Sequence, residues 1–298
     1  GDAGICSTKQ QQAWSEIVGM IRRRYPQTRV GVTLNHAGRR GSMRSRWRGL
    51  DAPLRDGGWP LVAPSAIPYT PRGVTPIALD RAGMDRIRDE FVRATRMAAE
   101  AGFDLLQLHA AHGYLLASFL SPLTNIRDDD YGGSLTNRMR FPLEVVDAVR
   151  AAWPESRPLA VALTVTDGAP GGLSVDGGVA IARALKEHGC DLITVMAGQT
   201  TPASIAPYRR GFLTPLADRI RNEANVRTLV GGYLVTSNEA NTVLAAGRAD
   251  LCLLEYPWPD DASAPASSSP SYEAQTENGR QLARSSERHP KQEARHGR

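Results

Sequence analysis

The chain has 298 residues, with 36 lysines and arginines against 31 aspartates and glutamates and 41% hydrophobic residues, a balance that suits a globular protein with a core of its own. Its surplus of +5 is spread through mixed acids and bases rather than laid out as a basic coat, so nucleic acid is not an expected partner. No apolar run approaches the roughly 18–20 residues that cross a bilayer, and the scattered Cys6, Cys190 and Cys252 offer no structural metal spacing.

Between Thr8 and Arg24 the apolar positions Trp14, Ile17, Val18 and Ile21 recur at three- and four-residue spacing and predict a helix that stops before Pro26. A strand is expected at 29–35. Arg39, Arg40, Arg44, Arg46 and Arg48 then crowd around Trp47. The run reads either as a solvated loop or as a docking surface for an anionic handle such as a nucleotide or CoA phosphate, which arginine forks suit. After a Gly- and Pro-rich stretch through Pro76, residues 80–101 carry Met84, Ile87, Phe91, Ala94 and Ala98 along one helical stripe closed by Gly102. A short buried strand follows at 104–110. The alternation continues with a helix near 137–153, strand 159–165, helix 175–188, strand 191–196, helix 214–222, strand 227–232, helix 237–246 and strand 250–254.

Six strands, each with a helical partner, define an α/β chain with a parallel sheet. A barrel of this kind closes with eight strands, so six imply either an open sheet or a TIM (β/α)8-type barrel short of two units. Residues 259–298 are rich in Ser, Ala, Pro, Glu and Arg with almost nothing apolar, and are expected to form a disordered polar tail behind a folded part at 1–258. The N-terminus lacks the basic-then-apolar order of a signal peptide, so the expected location is the cytoplasm.

The densest chemistry lies in His109-Ala110-Ala111-His112-Gly113-Tyr114, where the 104–110 strand gives way to a loop, the catalytic mouth of a β/α barrel. Two imidazoles three residues apart can aim N–H donors at one oxygen that gains negative charge, and Tyr114 adds a phenolic proton donor. On these residues alone the pair reads equally as structural histidines or metal ligands. A metal-dependent hydrolase on His36, His109 and His112 is disfavoured because no carboxylate cluster stands at the strand ends.

The run continues as Gly113-Tyr114-Leu115-Leu116, Phe119-Leu120-Ser121-Pro122-Leu123-Thr124-Asn125, Arg127, Tyr131-Gly132-Gly133-Ser134, Asn137-Arg138 and Arg140-Phe141. Upstream stands Leu34-Asn35-His36-Ala37-Gly38-Arg39, and downstream Gly247-Arg248-Ala249-Asp250-Leu251. Over most of the chain this wording resembles the old yellow enzyme family of NADH:flavin oxidoreductases. Gly58-Trp59-Pro60 and Ile67-Pro68-Tyr69-Thr70-Pro71 are most similar to the reductase-like half of anthraniloyl-CoA monooxygenases. The resemblance implies a TIM barrel holding FMN at its mouth, NADH or NADPH as reductant, and a small-molecule substrate, either an activated alkene or an aromatic acyl-CoA. It implies that His109 and His112 hold the substrate carbonyl oxygen while Tyr114 protonates carbon.

Against that pattern, Thr33 stands where a glutamine would bond the flavin ring, and Ala162 where an arginine would lie beside its electron-rich edge. Glu255 and Tyr256 replace the arginine that would meet the FMN phosphate, while Gly198, Gly231 and Gly232 match glycines that approach the cofactor. The lost positive charge is expected to weaken flavin binding and lower its potential. The resemblance also places two strands ahead of the first residue, so the expected fold is an incomplete barrel with its first two strands missing. Two functions stay open. One is an FMN-dependent oxidoreductase; the other is a non-catalytic barrel fragment with impaired flavin binding, a binding or assembly module or gene remnant whose open edges call for a partner or a homo-oligomer.

Overall fold

Ser7 starts the first helix, α1 (Thr8–Arg24), with a capping box: its hydroxyl accepts from the Gln10 amide and the Gln10 side chain returns to the Ser7 backbone. The structure is a computed structural model that describes residues 3–44, 51–54, 56–204 and 208–254; the expected tail lies outside these residues. Strand β1 (Gly31–Leu34) leads into a 3-10 turn at Gly38–Arg40 and a small parallel pair, β2 (Val62–Ala63) and β3 (Ile77–Ala78). Then come α2 (Arg81–Ala101), β4 (Leu105–Ala110), α3 (Leu115–Leu120), α4 (Leu135–Ala152), β5 (Leu159–Thr164), α5 (Val175–Glu187) and β6 (Leu192–Met196). Helix α6 (Thr214–Glu223), β7 (Arg227–Val230), α7 (Ser237–Ala245) and β8 (Leu251–Cys252) complete the series.

The main sheet runs β1-β4-β5-β6-β7-β8, parallel throughout, which is the order of six consecutive units of a TIM-type barrel. Period-two alternation decides which side chains meet the helices. Leu106, Leu108 and Ala110 of β4 are buried, as are Val161, Leu163, Ile193 and Val195 beside them. They join Phe91, Val145, Val149 and Ile181 from the helices in one core, and each fully buried aliphatic side chain contributes about 1.5–3 kcal/mol. Leu105, Gln107 and His109 take the opposite, concave face and are half-buried. Among the described residues β1 and β8 pair on one side only, and the sheet is open between them. Leu251 and Leu253 are correspondingly about half exposed.

A repeated Asp-Leu pins the N-terminal ends of the strands. The carboxylates of Asp104, Asp191 and Asp250 accept from the backbone N–H of Val30, Leu159 and Thr228 at 2.9 Å. Each aspartate also meets an arginine from a helix, at 2.8 Å from Arg22, 3.5 Å from Arg150 and 3.1 Å from Arg221. This end of the sheet is thus a charged staple, which leaves the C-terminal strand ends for chemistry. The β/α alternation agrees with the sequence expectation, with most boundaries within two residues. Helix α3 and the β2–β3 pair were not expected: α3 is buried all round and has no polar face to create a period, and two-residue strands leave no pattern.

Candidate active site

At the end of β4 the chain reverses through Ala111-His112-Gly113, closed by the Tyr114 N–H donating to the Ala111 carbonyl at 3.1 Å. Both central residues are left-handed, φ +57° at His112 and +69° at Gly113. A non-glycine residue held there stores strain, a common mark of a functional turn. The strain is held in place: the His112 N–H donates to the Thr164 hydroxyl at 2.9 Å, and its carbonyl accepts from Arg40 at 2.7 Å. The result brings three side chains together. The His109 ring lies 5.3 Å from that of His112 and 4.9 Å from that of Tyr114. Burial, with help from His109 and Arg40, pushes the His112 imidazole down to about 4, so it is a neutral donor at physiological pH. Tyr114 is the N-cap residue of α3, and the burial of that short helix fixes where the phenol stands.

His36 does not join them. Its Nδ1 accepts from the Gly38 N–H at 3.0 Å, and burial holds its imidazole below the ordinary value. No group of three His, Cys, Asp or Glu side chains able to hold a metal occurs among the described residues. The lowered values at His36 and His112 set a sign for stability. The unfolded chain takes up protons near 6.5 that the fold refuses until about 4 at His112, so stability is lost as pH falls through that window. Denaturant midpoints measured from pH 8 downward are expected to drop across it, with a shallower drop in His112→Gln.

The arginine run needs correcting at its first two members. Arg39 and Arg40 are neither solvated nor an anion-docking surface. Arg39 is 2% exposed, donates to the carbonyls of Ile67, Pro68 and Thr200, and is pushed by burial down to about 10. Arg40 pairs with Asp51 at 2.8 Å and stacks 4.1 Å over Tyr69. Arg44 donates to the Pro53 carbonyl, and Arg46 and Arg48 lie outside the described residues.

On the concave floor, Thr33 is in register with Gln107, and His109, Ala162 and Thr194 form a second line across three strands. Ala162 is fully buried. Gln107 was missed by sequence reasoning, although a lone amide two residues before His109 in an apolar strand was a readable signal. Its Nε2 donates to the Thr33 hydroxyl at 3.1 Å, and its Oε1 accepts from Thr194. An amide therefore reaches the place beside Thr33 from the neighbouring strand. Gly198 (φ +70°) donates to the Thr166 carbonyl at 2.9 Å beyond β6. Beyond β7, Gly231 and Gly232 are buried: a Cβ at Gly231 would make ordinary contact with Leu253 at 3.4 Å, and one at Gly232 (φ +85°) would crowd the Phe212 and Leu213 side chains at 3.1 Å. Tyr256 and Glu255 lie outside the described residues.

The described residues thus form a parallel β/α sheet of the TIM-barrel type with two imidazoles and a phenol at a C-terminal strand end. The chain belongs to the NADH:flavin oxidoreductase / NADH oxidase family, whose profile matches residues 1–254. It is 39% identical over 253 residues to the NADPH dehydrogenase of Geobacillus sp. (strain WCH70), covering 85% of this chain and 69% of that protein. The NADPH dehydrogenase of Bacillus subtilis (strain 168) is 33% identical over the same shares. Among solved structures, morphinone reductase in complex with tetrahydroNAD matches with a TM-score of 0.62 and 28% identity, over 84% of this chain and 67% of that one. A 2-naphthoyl-CoA reductase complex matches with a TM-score of 0.74 at 23% identity, over 86% of this chain and 40% of its own; at that identity it speaks for the fold. FMN and a nicotinamide reductant accordingly belong to this chain's chemistry. No helix among the described residues is long and apolar enough to cross a membrane.

Proposed function

We propose that the chain is an FMN-dependent NAD(P)H oxidoreductase that reduces a carbon–carbon double bond conjugated to a carbonyl, with an aromatic acyl thioester as the finer substrate class. The observation that carries this reading is the joint placement of His109, His112 and Tyr114 at the end of β4, with His112 neutral.

The donor set suits a flavin. Gln107 supplies an amide beside Thr33 on the concave face, and the small Ala160 and Ala162 stand in register with Gln107 and His109. Bound FMN would supply the hydride. The chain's own groups do the rest. The imidazole N–H groups of His109 and His112 hold the substrate carbonyl oxygen and stabilise the charge it gains, and the Tyr114 Oη gives its proton to the carbon remote from hydride delivery. Arg40, held by Asp51 and by the His112 carbonyl, fixes the turn.

The arginine absent at Tyr256 has a candidate replacement. The Gly211 N–H donates to the Gly232 carbonyl at 2.8 Å, which sets the segment carrying Arg209 and Arg210 beside the Gly231-Gly232 turn. Arg210 pairs with Glu239 at 2.9 Å on the exposed surface. Replacing both arginines with alanine is expected to weaken FMN about tenfold or more and leave riboflavin, which has no phosphate, nearly unchanged. Fluorescence titration of both flavins checks this.

The function itself is tested by purifying the full chain with FMN, recording flavin absorbance after gel filtration, and following NADPH oxidation with enones and with aromatic acyl-CoA thioesters. Retained flavin and substrate-dependent oxidation support the reading. Folded protein that leaves flavin behind favours the second reading, a binding or assembly module, to which the β1 and β8 edges, open among the described residues, lend weight.

A further inference from the structure

Asp167, in the loop after β5, is 1% exposed and bonded on every side. Its Oδ2 accepts from the Ser121 hydroxyl at 2.6 Å and the Leu173 N–H at 2.7 Å, and its Oδ1 accepts from the Thr200 hydroxyl. Thr200, 1% exposed, turns its carbonyl to Arg39, whose Nη2 donates at 2.6 Å. Among the described residues Arg39 makes no ion pair with a carboxylate, and its Nε has no hydrogen-bond partner. A buried cation and a buried anion are therefore joined through the two polar ends of one residue. The same Thr200 carbonyl abuts the imidazole-bearing turn: a Cβ at Gly113 would come within 2.7 Å of it.

We propose that Asp167, Thr200 and Arg39 are positioning residues that hold the His112-Gly113 turn, and with it the imidazole pair, against the loops after β5 and β6. Three elements press on the turn. Thr164 takes the His112 N–H, Arg40 takes its carbonyl, and Thr200 backs Gly113. Only Thr200 depends on a buried charge for its own placement. Ser121 extends the cluster to the segment that follows α3, so three successive loops of the C-terminal face, those after β4, β5 and β6, are tied at one carboxylate, and Arg39 joins the loop after β1 to it through Thr200. This role rests on His112 being a substrate-facing donor.

The test follows the His112 imidazole of the full chain by NMR titration, which needs no flavin. Thr200→Val keeps the shape of the side chain and removes the hydroxyl that donates to Asp167, whereas Thr200→Ser keeps the hydroxyl. In Thr200→Val the His112 midpoint is expected to rise by about one pH unit or more as the turn loosens and admits water. Amide exchange in the 110–116 peptide is expected to accelerate about tenfold or more, with no change in α1. Thr200→Ser should restore both. A folded Thr200→Val with the parent midpoint, or equal acceleration in both peptides, overturns the proposal. Should the valine variant not fold, Ser121→Ala removes one donor to Asp167 and is read in the same way. A shifted midpoint in a chain that reduces nothing keeps the positioning role and sinks the oxidoreductase reading instead.

Discussion

Exchanging Tyr114 for phenylalanine is expected to lower turnover with an enone or acyl thioester by about 10²- to 10⁴-fold, the range for loss of a positioned general acid. The ring stays, so its 4.9 Å packing on His109 and its place at the head of α3 are kept. Reduction of bound flavin by NADPH does not use this proton and should keep its rate within about twofold. Stopped-flow measurement of the two half-reactions separates them. Equal slowing of both would show that Tyr114 shapes the site rather than donating the proton.

Gly113→Ala should give the largest stability effect near the site. The φ of +69° already costs a residue with a side chain about 1–3 kcal/mol, and the added Cβ would stand 2.7 Å from the Thr200 carbonyl, where real Cβ atoms are not found. The turn has to open, which displaces His112 as well. Gly133→Ala is the control, because Gly133 is also left-handed (φ +73°) but has nothing within 4 Å of the added carbon. Urea unfolding of the two variants is expected to show a clearly larger loss at Gly113, and binding of a phenol that mimics the substrate enolate should be lost only there. A matching pair of losses would mean that the Thr200 carbonyl yields without cost.

Much of this was legible in the sequence because the patterns were local. The stripe Met84, Ile87, Phe91, Ala94 and Ala98 marks α2, and the wording from His109 to Phe141 marks the family and, with it, the proposed site. What stayed hidden depends on partners distant in the chain. Five arginines within ten residues read as surface, yet Arg39 finds its carbonyls in residues 67, 68 and 200. Gln107 reads as one polar interruption of a buried strand until the register sets it beside Thr33 and within reach of Thr194. Asp167 carries no motif, and only the fold brings Ser121, Leu173 and Thr200 to it. Thr33 and Ala162 were legible as departures, but that the Gln107 amide reaches Thr33 from β4 was not.

The contact from Arg39 to Thr200 joins residues 161 positions apart. Its consequence concerns the order in which the molecule is made. While a ribosome is still extending the chain through β5, the strand bearing His109 and the turn bearing His112 have already emerged, yet the backing for that turn has not been synthesised. Contacts of such long sequence separation form late and slowly, so competence for chemistry should arrive as one of the last events of folding, after the sheet has grown past β6. A folding experiment that watches tryptophan burial and ligand capture together would then see the first precede the second.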